Sequence, residues 1–453
     1  MKLEHLVFDF DKFAAEMANL KDKKHFDYLV TIVGEDFGEE GMGCVYILEN
    51  TESHERCSVK MIARCQVCGD GNAMNGTGDT DGQTLYYIPT VTHLWKGADL
   101  LEREVYDFLG IVFLGHKDMR RLFLRNDFEG WPLRKNFKAS GKYTLEDDVE
   151  PDYGLEYFID DRGVLQSKQN RLFGPDDYVI NIGPQHPSTH GVLRLQTVLN
   201  GEIVKRVYPH LGYIHRGIEK MWESMTYPQT LALTDRLNYL CAMQQRHALV
   251  GVIEEAMGVE LTDRIHVIRT IMDELQRLDS HLLFTSCCAQ DLGALTAFLY
   301  GMRDREHVLN VMEETTGGRL IQNYYRIGGL QDDIDPNFVK NCKDLVKYLR
   351  PMIQEYMDVF GDNIITHNRL EQVGPMSLED CINYGVTGPA GRAAGEFGVY
   401  LDSKGDKSPY RMKMRPMGLS LVGALDPMLR GQKIADLVTT GAAIDIVIPD
   451  IDR

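Results

Sequence analysis

Residues 265–284 read IHVIRTIMDELQRLDSHLLF, and apolar residues return in this stretch at steps of three and four. This spacing places them on one face of an α-helix, so the stretch predicts a helix with a single buried stripe. Comparable helical patterns cover roughly residues 231–258, 262–318 with breaks, and 336–361. Because these helices follow one another closely, the sequence predicts a helical bundle.

Strand patterns flank the helical region on both sides. Alternating stretches at 178–183 and 191–209 precede it, and after about residue 380 the sequence returns to strand and loop. The sequence therefore predicts a domain over residues 171–453 in which N-terminal and C-terminal β regions flank a central helical bundle.

The first part of the chain has a different pattern. Residues 1–137 mix one short helical pattern with strand-like stretches, which predicts a small α/β domain. Residues 138–170 are acidic and rich in turn-forming residues, so we expect a linker there. The predicted fold class is α+β, with two units.

Composition and charge exclude several classes of protein. The 453 residues are 43% hydrophobic and 26% charged, which is typical of a folded protein. The formal charge of −18 argues against binding nucleic acid through its phosphates. No apolar run reaches the ~20 residues that cross a bilayer, and the start of the chain has no apolar signal core. Nine irregularly spaced cysteines favour reduced thiols in a cytosolic chain.

The loop sequence GPQHPSTHG at 183–191 carries His186 and His190. A spacing of four suits a zinc site on a helix, but Pro187 and the glycines disfavour a helix, and no third ligand lies nearby. Two interpretations remain. In the first, both imidazoles hydrogen-bond to the backbone of a tight turn. In the second, a rigid loop presents an imidazole that donates a proton to a bound ligand.

The cysteines provide no cluster motif. Cys65 and Cys68 form one CxxC pair without a second pair, while Cys287 and Cys288 are adjacent. A zinc or redox role for the CxxC pair and a thiol-lined loop both remain open.

Several longer motifs carry a family resemblance. The stretches HLGYIHRGIEK (210–220), TDRLNYLCAM (234–243) and IDIVIPDIDR (444–453), with the loop at 183–191, resemble the large D subunit of respiratory complex I, the proton-pumping NADH:quinone oxidoreductase. Residues 102–137 resemble the signature of its C subunit. The whole chain thus resembles the fused C/D subunit of some bacteria. Motifs of this length are far more specific than a short sequence pattern.

The D subunit is related to the large subunit of nickel–iron hydrogenases, which supplies a rival function. The resemblance places Asn238 and Cys241, then Val447 and Asp450, at the four thiolate positions of that metal site. Three of the four thiolates are missing, so we expect no nickel–iron centre. Cys241 is then interpreted as a buried free thiol.

The resemblance implies that the former metal cavity binds a quinone head group. Quinone reduction consumes two electrons and two protons, so the site needs hydrogen-bonding groups directed at a carbonyl oxygen. The resemblance assigns this role to His190 and Tyr239, and it assigns to Asp291 the carboxylate that orients His190. It assigns the shaping of the loop to His186, Gly183 and Gly191. It implies that the chain itself binds no metal or flavin.

The resemblance also implies that electrons arrive from an iron–sulfur cluster in a neighbouring subunit. Arg216 matches an arginine beside that cluster, where a permanent cation raises the reduction potential; an ion pair with one of the chain's many carboxylates is the structural alternative. Ile321 stands where relatives often have a histidine near the cluster. Because isoleucine cannot titrate, we expect a cluster potential with little pH dependence near neutrality and a lower-potential quinone such as menaquinone.

The implied partners are a B-type subunit with the terminal 4Fe–4S cluster, I-type and H-type subunits, and the membrane arm that translocates protons. The implied position is peripheral, on the cytoplasmic side of the bacterial inner membrane, with NADH as electron donor. The alternative hypothesis is a non-catalytic scaffold of a related membrane-bound oxidoreductase with a different donor, such as ferredoxin.

Overall fold

The computed structural model of the chain describes residues 4–67, 84–125, 128–138, 155–159, 165–169, 176–184, 191–387 and 395–453. By their contacts they form two compact units. The first unit falls within Met1–Val179, Pro209–His215 and Met376–Val386, and the second within Ile180–Tyr208, Arg216–Pro375 and Thr387–Arg453. The predicted boundaries at residues 137 and 171 stay predictions, because most of the predicted linker lies outside the described residues.

The elements follow in chain order. The first are β1 (His5–Val7), α1 (Phe10–Asp22), β2 (Tyr28–Asp36), β3 (Met42–Glu49), β4 (Arg56–Ile62), β5 (Arg64–Val67), β6 (Thr84–Pro89), α2 (Ala98–Leu109), β7 (Ile111–Leu114), β8 (Leu155–Ile159), β9 (Leu165–Gln169), β10 (Asp177–Ile182), β11 (Arg194–Asn200) and β12 (Ile203–His210). Then come α3 (Ile218–Trp222), α4 (Tyr227–Thr234), α5 (Ala242–Met257), α6 (Asp263–Asp291), α7 (Leu295–Thr316), β13 (Tyr325–Arg326), β14 (Gly329–Leu330), α8 (Phe338–Tyr356), α9 (Ile364–Leu370), α10 (Leu378–Tyr384), β15 (Gly398–Asp402), β16 (Arg411–Arg415), α11 (Met417–Leu429), α12 (Ile434–Ala443) and α13 (Ile448–Asp452).

The first unit contains a four-stranded sheet of order β1-β4-β3-β2, in which β1 runs parallel to β4 and the other pairs are antiparallel. A second sheet has the order β5-β6-β7. Helix α2 packs closely on β2, because a Cβ atom at Gly34 would lie 2.6 Å from Cδ1 of Leu109. The helix ends at Gly110, whose φ of 72° is the left-handed conformation that terminates many helices.

The second unit is built around α6, which contains the stretch 265–284. Its buried residues Ile268, Met272 and Leu275 recur at helical spacing and lie in one hydrophobic cluster. Each fully buried side chain of this kind contributes about 1.5–3 kcal/mol. The predicted α+β class with a central helical bundle is confirmed. Among the described residues, no helix is both long enough and apolar enough to span a membrane.

The helices differ from the predicted ones in two places. The pattern over 231–258 is interrupted, because α4 ends at Thr234 and α5 begins at Ala242. The tail was expected to be strand and loop, but after the β15–β16 hairpin it forms α11, α12 and α13, so that expectation is wrong. Long-range bonds stabilise these short helices: the first amide of α11, at Met417, donates to Oδ2 of Asp450 over 2.7 Å.

Candidate functional site

The turn at 235–241, between α4 and α5, carries Tyr239. The side-chain oxygen of Asn238 accepts a hydrogen bond from the Leu240 amide over 3.1 Å. The side-chain oxygen of Gln245 accepts one from the Asn238 amide over 3.0 Å. These buried bonds satisfy backbone groups that a continuous helix would have paired, and they fix the backbone at Tyr239.

Tyr239 is half-buried. It packs against Leu240 of the same turn, Leu283 of α6 and Val447 of the C-terminal segment, and Cys287 of α6 packs against the same cluster. Burial, and then the neighbouring Cys287, raise the pKa of Tyr239. Its phenol therefore keeps its proton at neutral pH and is a hydrogen-bond donor.

Asp291 is the last residue of α6, one helical turn beyond Cys287. After the effect of burial, the charge of Asp291 is the next cause that raises the pKa of Cys287 and of Cys288. Cys287 packs against the same hydrophobic cluster as Tyr239 and in turn raises the pKa of Tyr239. The structure thus brings Tyr239 and Asp291 to one region of the second unit.

The loop at 183–191 is described only at its ends. His186 and His190 lie outside the described residues, so their roles stay predictions. Gly183 has a φ of 94°, in the left-handed region that favours glycine. Gly191 is half-buried shortly before β11.

The structure connects the two segments that were compared with hydrogenase ligands. Nε2 of Gln245 donates to Oδ1 of Asp450 over 3.2 Å. Cys241 is buried with its Sγ 3.6 Å from Oγ of Ser280, and burial raises its pKa to about 12. This thiol therefore keeps its proton at neutral pH. Within the described ranges, no group of three or more His, Cys, Asp or Glu side chains is placed to hold a metal ion.

Three buried carboxyl groups raise the pKa of the Cys241 thiol: Asp450, which the sequence comparison named, and Asp279 and Asp445, which sequence reasoning missed. Burial raises the pKa of Asp279 to about 6, of Asp445 to about 7 and of Asp450 to about 6. Asp279 pairs with Arg305 over 2.8 Å. Asp279 occupies a position on the buried face of α6 where the helical spacing would place an apolar residue. A charged residue at such a position is the one sequence signal that could have identified it.

The C-terminus of the second unit is anchored by a buried ion network around Glu219. Arg411 and Arg453 each lie 2.7 Å from its carboxylate, and Lys413 lies 3.7 Å away. Burial would raise the pKa of Glu219, but the three cations hold it well below its usual range. The network connects α3, β16 and the last residue of the chain.

The remaining predicted residues lie apart from Tyr239 in sequence. Arg216 is exposed, and no ion pair of Arg216 is found among the described residues, so the structural alternative for it is not observed. Ile321 is half-buried in the loop after α7. Cys65 is half-buried in β5, whereas Cys68 lies outside the described residues, so the question of the CxxC pair stays open.

The described chain combines a small α/β unit with a second unit built around long helices. The family model described as "Respiratory-chain NADH dehydrogenase, 30 Kd subunit" matches residues 6–143, and that of the 49 Kd subunit matches 291–396 and 392–453. The chain belongs to the family of fused NADH-quinone oxidoreductase C/D subunits, and the predicted resemblance is confirmed.

Some of the named relatives match nearly the whole chain, and others match about 60% of it. The NADH-quinone oxidoreductase C/D subunit of Phocaeicola vulgatus is 45% identical over 99% of this chain and 100% of its own length. That of Bacteroides thetaiotaomicron is 43% identical over 97% of both chains. The NADH-quinone oxidoreductase D subunit of Geobacter metallireducens is 32% identical over 60% of this chain and 98% of its own.

The relatives carry residues that this chain lacks. The alignment with the Phocaeicola vulgatus protein spans 534 positions, more than the 453 residues of this chain. The two matches of the 49 Kd model overlap at residues 392–396, just before β15.

Proposed function

We propose that the second unit forms the quinone head-group site of a complex I-type NADH:quinone oxidoreductase. The observation that carries the proposal is the environment of Tyr239. It is a half-buried phenol that keeps its proton, stands on a turn fixed by buried hydrogen bonds, and lies in the same region as Asp291. The relatives' names supply the reaction.

In this proposal, each predicted site residue has a role in quinone reduction. Tyr239 and His190 donate hydrogen bonds to a quinone carbonyl oxygen, and these donors supply protons as two electrons reduce the ring. Asp291 orients the imidazole of His190 and stabilises its protonated form. Gly183, Gly191 and His186 shape the loop, and the left-handed φ of Gly183 supports a backbone that requires glycine.

The electrons come from the 4Fe–4S cluster of a B-type subunit. Arg216 is an exposed guanidinium without an ion pair in the described ranges, which leaves it available beside a partner's cluster. With Ile321 at the histidine position, the cluster potential depends little on pH near neutrality, which suits a lower-potential quinone such as menaquinone. A redox titration of the cluster at several pH values tests this assignment, and a strong pH slope would contradict it.

The proposal also includes the domain organisation of the chain, its partner subunits and its location. A C-like domain at 1–137 docks the chain, an acidic linker covers 138–170, and the D-like domain covers 171–453. The chain binds I-type and H-type subunits and sits peripherally on the cytoplasmic side of the bacterial inner membrane. Quinone reduction at its site biases proton translocation by the membrane arm.

The test is Tyr239→Phe in the assembled complex, which removes one hydroxyl and preserves packing. Quinone reduction should fall by about a hundredfold, the lower end for loss of a direct proton donor. Cluster reduction by NADH and the amount of assembled complex should not change. Tyr227→Phe is the matched control, because its hydroxyl binds Ser403 at the surface. Unchanged turnover in Tyr239→Phe would favour the scaffold alternative.

A further inference from the structure

Helix α8 has an apolar line of side chains outside the face that packs on the bundle. Its inner face carries three buried residues of the hydrophobic cluster of the second unit: Phe338, Leu345 and Leu349. On its outer face Val339, Val346 and Ile353 follow one another at intervals of seven residues, and they are between 47% and 52% exposed. Because seven residues make almost two helical turns, these three side chains form one exposed line, which we call the α8 stripe.

Basic residues accompany the α8 stripe. Lys343 and Arg350 each follow a valine of the stripe by four residues, so they lie directly beside it. Lys340 and Lys347 lie further around the exposed face. Among the described residues, none of these four cationic groups has an ion-pair or hydrogen-bond partner. The exposed residues of α8 thus include four cations and one anion, Asp344, in a chain whose formal charge is −18.

The shape of the α8 stripe favours a helix as its occupant. A helix that lies on a membrane presents a broad apolar face, commonly with tryptophan, phenylalanine or leucine. The α8 stripe is one side chain wide and consists of two valines and one isoleucine. A narrow apolar line that repeats every seven residues is the seam along which a second helix packs, and the charges beside such a seam select the partner.

The charges beside the stripe favour an acidic helix. In a two-fold symmetric contact with a second copy of this chain, Lys343 and Arg350 of one copy would meet the same cations of the other, and like charges repel. An acidic helix instead supplies a carboxylate for each cation, while its apolar residues cover the stripe. From Val339 to Ile353 the stripe is about 21 Å long, a length that a helix of about fifteen residues spans.

We propose that the α8 stripe and the cations beside it bind an acidic amphipathic helix of another subunit of the complex. Carboxylates of that helix pair with Lys343 and Arg350, and its apolar side chains cover the stripe. The second unit then has a protein-docking surface in addition to the quinone site. Because no residue of the proposed quinone site takes part, full turnover of Tyr239→Phe would contradict the proposed function and leave this surface unaffected.

The first test places a photo-reactive benzophenone amino acid at position 346 of the chain in the assembled, purified complex. Illumination should join this position to one segment of another subunit, and peptide mass spectrometry identifies that segment. Its sequence should carry apolar residues at helical spacing and an excess of aspartate and glutamate over lysine and arginine. Crosslinks to lipid, to a second copy of this chain, to a segment without that acidic excess, or to no molecule would overturn the proposal.

Charge reversal tests the ion pairs themselves. Lys343→Glu combined with Arg350→Glu should lower the crosslink yield about tenfold at low salt, because each reversal replaces a surface attraction by a repulsion. The loss should shrink at about 0.5 M salt. Lysine substitutions at the acidic residues of the crosslinked segment should restore the yield. Lys24→Glu combined with Lys407→Glu makes the same change in net charge at exposed positions elsewhere and is the matched control. An equal loss in the control, or no loss in the α8 variant, would contradict the proposal.

Two measurements on the purified chain separate docking from folding and from lipid binding. Both changed side chains of the α8 variant are exposed, so its melting temperature should stay within about 4 °C of the wild type. The wild-type chain and the variant should behave alike in flotation with phosphatidylglycerol vesicles. If the wild type floats with these vesicles and the variant does not, the α8 stripe is a lipid-binding surface and the proposal is wrong.

Discussion

Replacing Glu219 by glutamine should destabilise the second unit strongly. Glu219 is buried with two guanidinium groups at 2.7 Å and an ammonium group at 3.7 Å, so Glu219→Gln removes the carboxylate charge that these three cations share. Breaking a buried ion pair by removing one partner costs about 3–5 kcal/mol. For a unit of this size that corresponds to roughly 6–20 °C in the melting temperature.

Thermal unfolding of the purified chain at neutral pH measures this effect. The exposed Glu260→Gln is the control and should stay within about 0.5 kcal/mol. Because the folded-state pKa of Glu219 is lowered, its contribution is complete above the unfolded-state pKa and is lost only as the pH falls in acid. A melting temperature within about 2 °C of the wild type, well under the shift expected from the lost pair, would refute the view that this network anchors the C-terminus.

Three further predictions concern single positions. Burial raises the pKa of Glu102 to about 8, so its contribution is full below about pH 4.5 and is lost as the pH rises through about 8. Glu102→Gln should therefore flatten the fall in melting temperature between about pH 6 and 9, and an unchanged slope would contradict this. Gly34→Ala should cost about 1–3 kcal/mol in denaturant unfolding, because its Cβ would meet Leu109 at 2.6 Å, whereas Gly251→Ala meets nothing within 4 Å and should not destabilise. Cys241, with a pKa of about 12, should resist alkylation at pH 8 in the folded chain and react once unfolded; rapid labelling in the folded chain would show that it is not buried.

The fold was predictable where one element carries its own signal. The apolar spacing of α6 gives a helix regardless of its neighbours, because one stripe is buried along its whole length. The break at 235–241 depends on side-chain bonds from Asn238 and Gln245, which a periodicity pattern does not contain. The tail helices depend on distant partners such as Asp450, so their short sequences give little helical signal.

The site was predictable to the extent that motifs identify positions. Tyr239 and Asp291 were named from the resemblance, and the structure adds their shared neighbour Cys287. Asp445 was not predicted, because the alternation in IDIVI suggests an exposed carboxylate in a strand, whereas tertiary packing buries it in the turn between α12 and α13.

The measurement that tests the central claim most directly is photolabelling of the assembled complex with a light-activated quinone analogue, followed by peptide mass spectrometry. If this chain forms the quinone head-group site, competing quinone should suppress labelling in peptides that contain Tyr239 or Cys287 and Asp291. Labelling confined to other subunits, or to parts of this chain outside its second unit, would contradict the claim.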